Sequence, residues 1–228
     1  MRLSNAIIKS KNSGKIPIIA EIKVKTPRDG DLLKGREPVE LAREMESAGA
    51  TAISIVTESS QFGGNNQILR EVTKNVKIPV LRKDFIRTDN QIYESKNSGA
   101  TTLLLISSIM SFDLISRLHS LTRTIGLESL VEVHNENEMR EILNLEPQMI
   151  SINNRNILQL ETDSGDVSTT EKLAKLAPKQ VLLISASSIK NRGDVFRALS
   201  AGADAVLVGT TLMKASSIQN KMNELMNL

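Results

Sequence analysis

The chain has 228 residues, 40% hydrophobic and 24% charged, the balance of a globular protein rather than of a disordered or membrane-embedded one. Its 29 basic and 26 acidic residues leave a net charge of +3 spread along the chain, and only 2% of residues are aromatic, so nucleic acid is not an expected partner. With no cysteine and two histidines, disulfides, thiolate chemistry and a multi-histidine metal centre are excluded; no apolar run reaches the ~20 residues that span a bilayer, so the expectation is a cytoplasmic protein without a membrane partner.

Residues 1–14 place Leu3, Ala6, Ile7 and Ile8 at helical spacing and end near Gly14, which predicts a short amphipathic helix with a glycine stop. Ile18-Ile19-Ala20-Glu21-Ile22-Lys23-Val24 follows Pro17 and reads as a short buried strand. Side chains alternate along a strand, so Glu21 and Lys23 share one face. Buried charges cost several kcal/mol unless they are paired or used; an edge strand with that face in solvent is the plain alternative. Residues 26–37, rich in charge and glycine, read as a loop of about a dozen residues.

Beyond it the pattern repeats. Helices are expected at 38–48, 67–75, 89–98, 111–125, 136–143, 166–176, 191–201 and 218–226, and strands at 50–56, 79–83, 101–106, 129–133, 149–153, 181–185 and 205–208. Together with the first strand this makes eight strand–helix units. Gly49-Ala50, Gly99-Ala100 and Gly202-Ala203 each stand between a helix and the next strand, where a left-handed glycine cap suits the turn. The echo falls at two- and four-unit steps, which fits one closed (β/α)8 TIM barrel over 1–228, with 1–14 as a helical extension, better than an open sheet.

In such a barrel the chemistry lies where strands end. Glu21, Lys23, Lys83 and Glu132 all fall there, and buried, closely spaced acids and ammonium groups suit proton transfer. Within Arg82-Lys83-Asp84, alternation sends Arg82 and Asp84 to the outer face and Lys83 inward. Glu58 and Asp84 read as ordinary strand-end structure. Ser187-Ser188 after the seventh strand and Gly209-Thr210 after the eighth stand where a phosphate is held.

These residues resemble the indole-3-glycerol phosphate synthase family over about 17–214. The motifs are Ile19-Ala20-Glu21-Ile22-Lys23 with Lys25-Thr26-Pro27, Thr57-Glu58 with Phe62-Gly63-Gly64, Leu81-Arg82-Lys83-Asp84-Phe85-Ile86, Leu130-Val131-Glu132-Val133-His134, Ile152-Asn153-Asn154-Arg155-Asn156, and Val208-Gly209-Thr210 with Leu212-Met213. The resemblance implies a carbon–carbon lyase that converts 1-(2-carboxyphenylamino)-1-deoxyribulose 5-phosphate into indole-3-glycerol phosphate, CO2 and water, with neither cofactor nor metal. Carried over, Lys83 is the acid at the carbonyl, and Glu132, Glu21 and Lys23 serve the later proton transfers. Asn153 and Arg155 position the substrate, Phe62 and Phe85 line the anthranilate pocket, and Thr26, Ser187, Ser188, Gly209 and Thr210 hold the phosphate. Other enzymes of the tryptophan pathway are candidate partners.

The chain departs from the family at three points. Ala186-Ser187-Ser188 replaces Glu-Ser-Gly, Asn65 replaces a serine, and the N-terminal helix that often covers part of the barrel mouth is shortened. The first departure motivates an alternative, a catalytically impaired paralogue that binds phosphorylated ligands. Sugar-phosphate isomerases on the same barrel rank below both, since their acid–base pairs are Cys/Asp or Asp/Asp.

Overall fold

The computed structural model describes residues 1–155 and 165–227. The chain runs α1 (Leu3–Asn12), β1 (Ile18–Ile22), β2 (Lys25–Thr26), β3 (Gly30–Asp31), α2 (Pro38–Ser47), β4 (Ala52–Val56), α3 (Asn66–Asn75), β5 (Val80–Lys83), α4 (Asp89–Asn97) and β6 (Thr102–Ile106). It continues through α5 (Phe112–Thr124), β7 (Glu128–Val133), α6 (Glu136–Leu143), β8 (Met149–Asn153), α7 (Ser168–Leu173), β9 (Leu182–Ala186), α8 (Arg192–Ser200), β10 (Ala205–Val208), α9 (Thr210–Met213) and α10 (Ile218–Met226). Eight parallel strands close into a barrel in the order β1-β10-β9-β8-β7-β6-β5-β4, with Ile18 opposite Val206 on one side and Ile19 opposite Ala52 on the other. The predicted TIM barrel is the observed one, and β1 is an interior stave rather than an edge.

Two apolar clusters form the shell between strands and helices, and a third fills the barrel interior with Ile19, Leu81, Leu104, Leu130, Met149 and Ile184. Period-two alternation then carries four of the strands upward from apolar to polar. Ile19 gives way to Glu21, Leu81 to Lys83, Leu130 to Glu132, and Met149 to Ser151 and Asn153. An apolar floor under a polar mouth is thus written residue by residue.

Most helices start on a side-chain cap: Asn65, Thr88, Ser111, Asn135, Asn191 and Ser217 each accept from a backbone N–H three residues on. Asn65 accepts from Ile68 N at 2.9 Å, so the exchange of a serine for asparagine there swaps one good N-cap for another. The three Gly-Ala junctions behave as expected, with φ of +94°, +84° and +110° at Gly49, Gly99 and Gly202.

Two expectations are corrected. The segment 26–37 is not structureless, because β2 and β3 form a small antiparallel hairpin. Its turn is closed by Asp29 N donating to Thr26 Oγ1 (2.9 Å) and by Gly30 at φ +67°, local bonds that two-residue strands cannot announce through periodicity. The helix α1 does not approach the mouth at all. Leu3 and Ile7, both fully buried, join the interior cluster, so α1 closes the opposite end of the barrel. Glu128, buried at the start of β7, caps α1 from outside the helix by accepting from Leu3 N (2.7 Å), Ser4 N (3.3 Å) and the Ser4 hydroxyl.

Candidate active site

At the mouth, Glu21 stands between two lysines. Its Oε1 lies 2.8 Å from Lys23 Nζ and its Oε2 lies 3.8 Å from Lys83 Nζ, with Glu21 2% and Lys23 4% exposed. Lys83 reaches Glu21 from β5 because alternation turns it inward. Arg82 and Asp84 point outward as expected and form an ion pair at 2.9 Å, with Arg82 also held by Thr57 and by Ser95 of α4. Glu58 accepts from Ser60, Gln61 and Phe62 N–H groups, and these bonds outweigh its burial to hold the carboxyl below its ordinary pKa; its role is to shape the loop after β4.

Across the barrel, Glu132 of β7 is completely buried. Its Oε1 accepts from Asn153 Nδ2 at 3.2 Å and lies 3.4 Å from His134 Nε2; its Oε2 has no hydrogen-bond partner among the described residues. Burial opposes protonation of His134, but its contacts with Glu132 and Glu138 prevail and raise its pKa to about 9.

Beside Glu21 a cavity of about 220 Å³ opens toward the ends of β9 and β10. Seven expected site residues line it: Glu21, Lys23, Arg155, Ser187, Ser188, Gly209 and Thr210. So do Arg28, Lys190 and Lys214, cations of the loops after β1, β9 and β10 that sequence reasoning assigned no role. Five cationic side chains, with Glu21 the one acid among the lining residues, give this small cavity a positive lining. Lys214 also pairs with Asp29 at 2.6 Å, tying the β2–β3 hairpin to α9, and Thr211 Oγ1 donates to Ile189 O at 2.6 Å, tying α9 to the β9 loop. Burial alone would raise the Asp29 carboxyl; hydrogen bonds from Lys214 and Arg28 hold it below its ordinary value.

Gly209 is required by proximity. A Cβ there would lie 2.4 Å from Glu21 Oε1 and 3.0 Å from Lys23 Cε. The Lys23–Glu21 pair occupies the space that any other residue at 209 would need.

The turn after β9 is strained, with Ser187 at φ +64° and Ser188 at φ +61°. The left-handed cost expected for Ser188 is therefore present, and Ser187 carries it as well. Arg155 Nε donates to Ser188 Oγ at 3.3 Å, and Arg155 N to Asn153 Oδ1 at 3.0 Å. Ala186, opposite Asn153 in the sheet and 1% exposed, belongs to the interior apolar cluster.

Six expected residues do not line this cavity: Lys83 and Glu132, placed above, and Thr26, Phe62, Phe85 and Asn153. Thr26 directs its hydroxyl to Asp29, Phe62 is buried with its carbonyl accepting from Lys25 N (3.1 Å), and Phe85 packs beside the interior cluster. Asn153 meets Glu132, as described. Asn156 lies outside the described residues. A larger polar cavity, about 410 Å³, opens at the other end near Arg2, His119 and Glu128, where none of the expected site residues stands.

Among the described residues there is no group of three His, Asp or Glu side chains able to hold a metal ion, and no helix long and apolar enough to cross a membrane. Exposed large apolar side chains such as Ile8, Tyr93 and Phe196 lie on different helices and lend no support to a docking face for other enzymes.

The sequence matches the family model described as indole-3-glycerol phosphate synthase over residues 1–225. It is 42% identical over 226 residues to the indole-3-glycerol phosphate synthase of Thermococcus kodakarensis, covering 99% of this chain and 97% of that protein. Against the synthase of Pyrococcus furiosus it is 45% identical over 215 residues, 94% of this chain and 92% of the relative. The synthase of Shouchella clausii is 42% identical over 205 residues, with 90% and 79% covered. At this identity and coverage, and with the barrel closed around the same motifs, the chain belongs to the indole-3-glycerol phosphate synthase family.

Proposed function

We propose that the protein closes the pyrrole ring of indole-3-glycerol phosphate from 1-(2-carboxyphenylamino)-1-deoxyribulose 5-phosphate, releasing CO2 and water. The observation that carries this reading is the buried Lys23–Glu21–Lys83 cluster beside a cavity ringed by Arg28, Arg155, Lys190 and Lys214. Acid–base groups and an anion receptor then sit at one mouth.

The phosphate would occupy the cavity, against Arg155, the serines of the β9 turn and the Gly209-Thr210 backbone. Lys83, on the far oxygen of Glu21, would donate a proton to the ketone oxygen as the ring carbon bearing the carboxylate attacks the carbonyl carbon. Loss of CO2 from that ring carbon leaves its bonding pair to restore the aromatic ring. The new carbinol then leaves as water, its oxygen protonated by an ammonium group, while a carboxylate takes the proton from the carbon next to nitrogen. Glu132 is the group proposed for that last removal, since Asn153 and His134 engage one of its oxygens and its other oxygen has no hydrogen-bond partner among the described residues. Lys23 and Glu21, which line the cavity, would hold the sugar chain between the two ends.

The alternative of an impaired binding protein has less support. Ala186 removes one carboxylate, but Glu21 and Glu132 remain, each beside a cationic partner. The test is direct. The chain has no Trp and one Tyr, so indole fluorescence on adding the carboxyphenylamino sugar phosphate reports product over little background. Steady product formation that Lys83→Ala abolishes, with the fold intact, is the expected result; no signal at micromolar protein would overturn the reading.

A further inference from the structure

Above Glu132 the chain builds a second layer of contacts that the proposed chemistry does not use. Glu138, on the first turn of α6, accepts from His134 N at 2.8 Å and from His134 Nδ1 at 3.1 Å through one oxygen, and from Asn135 Nδ2 at 2.6 Å through the other. Ser107 Oγ lies 2.7 Å from the Glu132 carbonyl and 2.8 Å from Glu138 Oε2, joining the end of β6 to the same anchor. The imidazole is thereby fixed in the plane that brings Nε2 to 3.4 Å from Glu132 Oε1.

We infer that His134, clamped by Glu138 and Ser107, is the positioning residue for Glu132: it engages one carboxylate oxygen and leaves the other for the reaction. The inference rests on the reading of Glu132 as the base. Three features carry it. Nδ1–H is spent on Glu138, so Nε2 can act as a donor toward Glu132 only if the ring is the doubly protonated imidazolium. Two carboxylates face that ring, the fully buried Glu132 from its own strand and the partly buried Glu138 from the next helix, while among the described residues the neighbouring strands bring the neutral Ser107 and Asn153. The cation they sustain, with a pKa raised to about 9, keeps a negative charge next to it favourable at neutral pH. Finally, the Asn153 hydrogen bond and the His134 contact fall on the same oxygen of Glu132; the latter is an ion-pair contact at 3.4 Å, His134 Nε2 having no hydrogen-bond partner among the described residues, and together they hold that side of the carboxylate. Neither His134 nor Glu132 is among the described residues lining the anion cavity, and the contact that ties His134 to the proposed chemistry is the one it makes with Glu132.

The experiment is a double-mutant cycle on the intact chain, with kcat and KM measured for Glu132→Gln, His134→Gln, the pair, and Glu138→Gln. His134→Gln and Glu138→Gln are each expected to lower kcat by about 10- to 100-fold, the cost of a misplaced catalytic group, with KM changed by less than about 3-fold. In the Glu132→Gln background, His134→Gln is expected to have no further effect, because residues that act as one unit are not additive. Glu138→Gln keeps the imidazole and serves the same test if His134→Gln fails to fold. Additive losses, an unchanged kcat in the His134 or Glu138 variants, or a loss confined to KM would overturn the positioning role. An unchanged kcat in Glu132→Gln would overturn the reading of Glu132 itself, a separable result.

Discussion

Gly209→Ala is the sharpest probe of the cluster at the mouth. The added methyl would start 2.4 Å from Glu21 Oε1, 3.1 Å from Glu21 Cδ and 3.0 Å from Lys23 Cε. Ordinary contact requires the carboxylate to retreat by about 1 Å, and a displacement of that size at a reacting group costs about 100-fold in rate, or roughly 2.7 kcal/mol of barrier. The retreat also opens the 2.8 Å Lys23–Glu21 contact. Overpacking a site this tight should lower stability by about 1–3 kcal/mol, too little on its own to unfold a typical domain. The assay is indole fluorescence against time at saturating substrate, with a urea melt of the same preparation. The variant is expected to be folded, about 100-fold slower, and similar in rate to Glu21→Gln. A folded Gly209→Ala enzyme within 2-fold of the parent would refute the argument that Glu21 and Lys23 must hold these positions.

Three further outcomes are expected. Ser188→Gly relieves a left-handed residue at φ +61° and should stabilise the fold by about 1 kcal/mol, raising Tm by about 2–4 °C, while loss of the hydroxyl that accepts from Arg155 raises KM; differential scanning calorimetry and initial rates check the two halves separately. Glu128→Ala strips the cap from α1 and leaves buried N–H groups unpaired, so urea denaturation should show a loss of about 1–3 kcal/mol with kcat unchanged, because Glu128 lies at the far end of the barrel. The His134 pKa is raised in the folded state, from the model-peptide value near 6.5 to about 9, so its stabilisation is complete below pH 6.5 and lost as pH rises through 9. The shift bounds that contribution at roughly 3 kcal/mol. The gap in urea midpoint between parent and His134→Gln should therefore narrow steadily from pH 6.5 to 10.

The barrel was legible because its signals are local and repeated. Strand–helix alternation, the glycine junctions at 49, 99 and 202, and N-caps such as Thr88 and Asn191 all lie within a few residues of the element they define. The hairpin at 25–31 was not legible, since two-residue strands carry no period and its closure depends on the Thr26–Asp29 bonds. The cations of the cavity were equally hidden. Arg28, Lys190 and Lys214 are ordinary loop residues in the sequence, and only the closing of β1 against β10 brings the loop of the first to the loops of the other two.

Glu128 and Glu132 show where sequence reading stops. They stand four residues apart on β7, on the same face by alternation, both almost wholly buried. Nothing in Glu128-Ser129-Leu130-Val131-Glu132 separates a structural carboxylate from a reactive one. Partners separate them. Glu128 meets the N-terminus of α1 and the Thr102 hydroxyl, so both of its oxygens are spent on bonds that hold the barrel floor. Glu132 has Asn153 and His134 on one oxygen, and its other oxygen is buried without a hydrogen-bond partner among the described residues. Such an atom costs about 1–3 kcal/mol in the folded protein. Glu21 Oε2 is likewise buried without a hydrogen-bond partner among the described residues, so both carboxylates of the mouth keep an oxygen able to accept a proton and Glu128 keeps none. The contrast supports seeking the chemistry at Glu132, and it makes the Glu128 and Glu132 variants a matched pair: the first should lose stability and keep rate, the second should lose rate and keep stability.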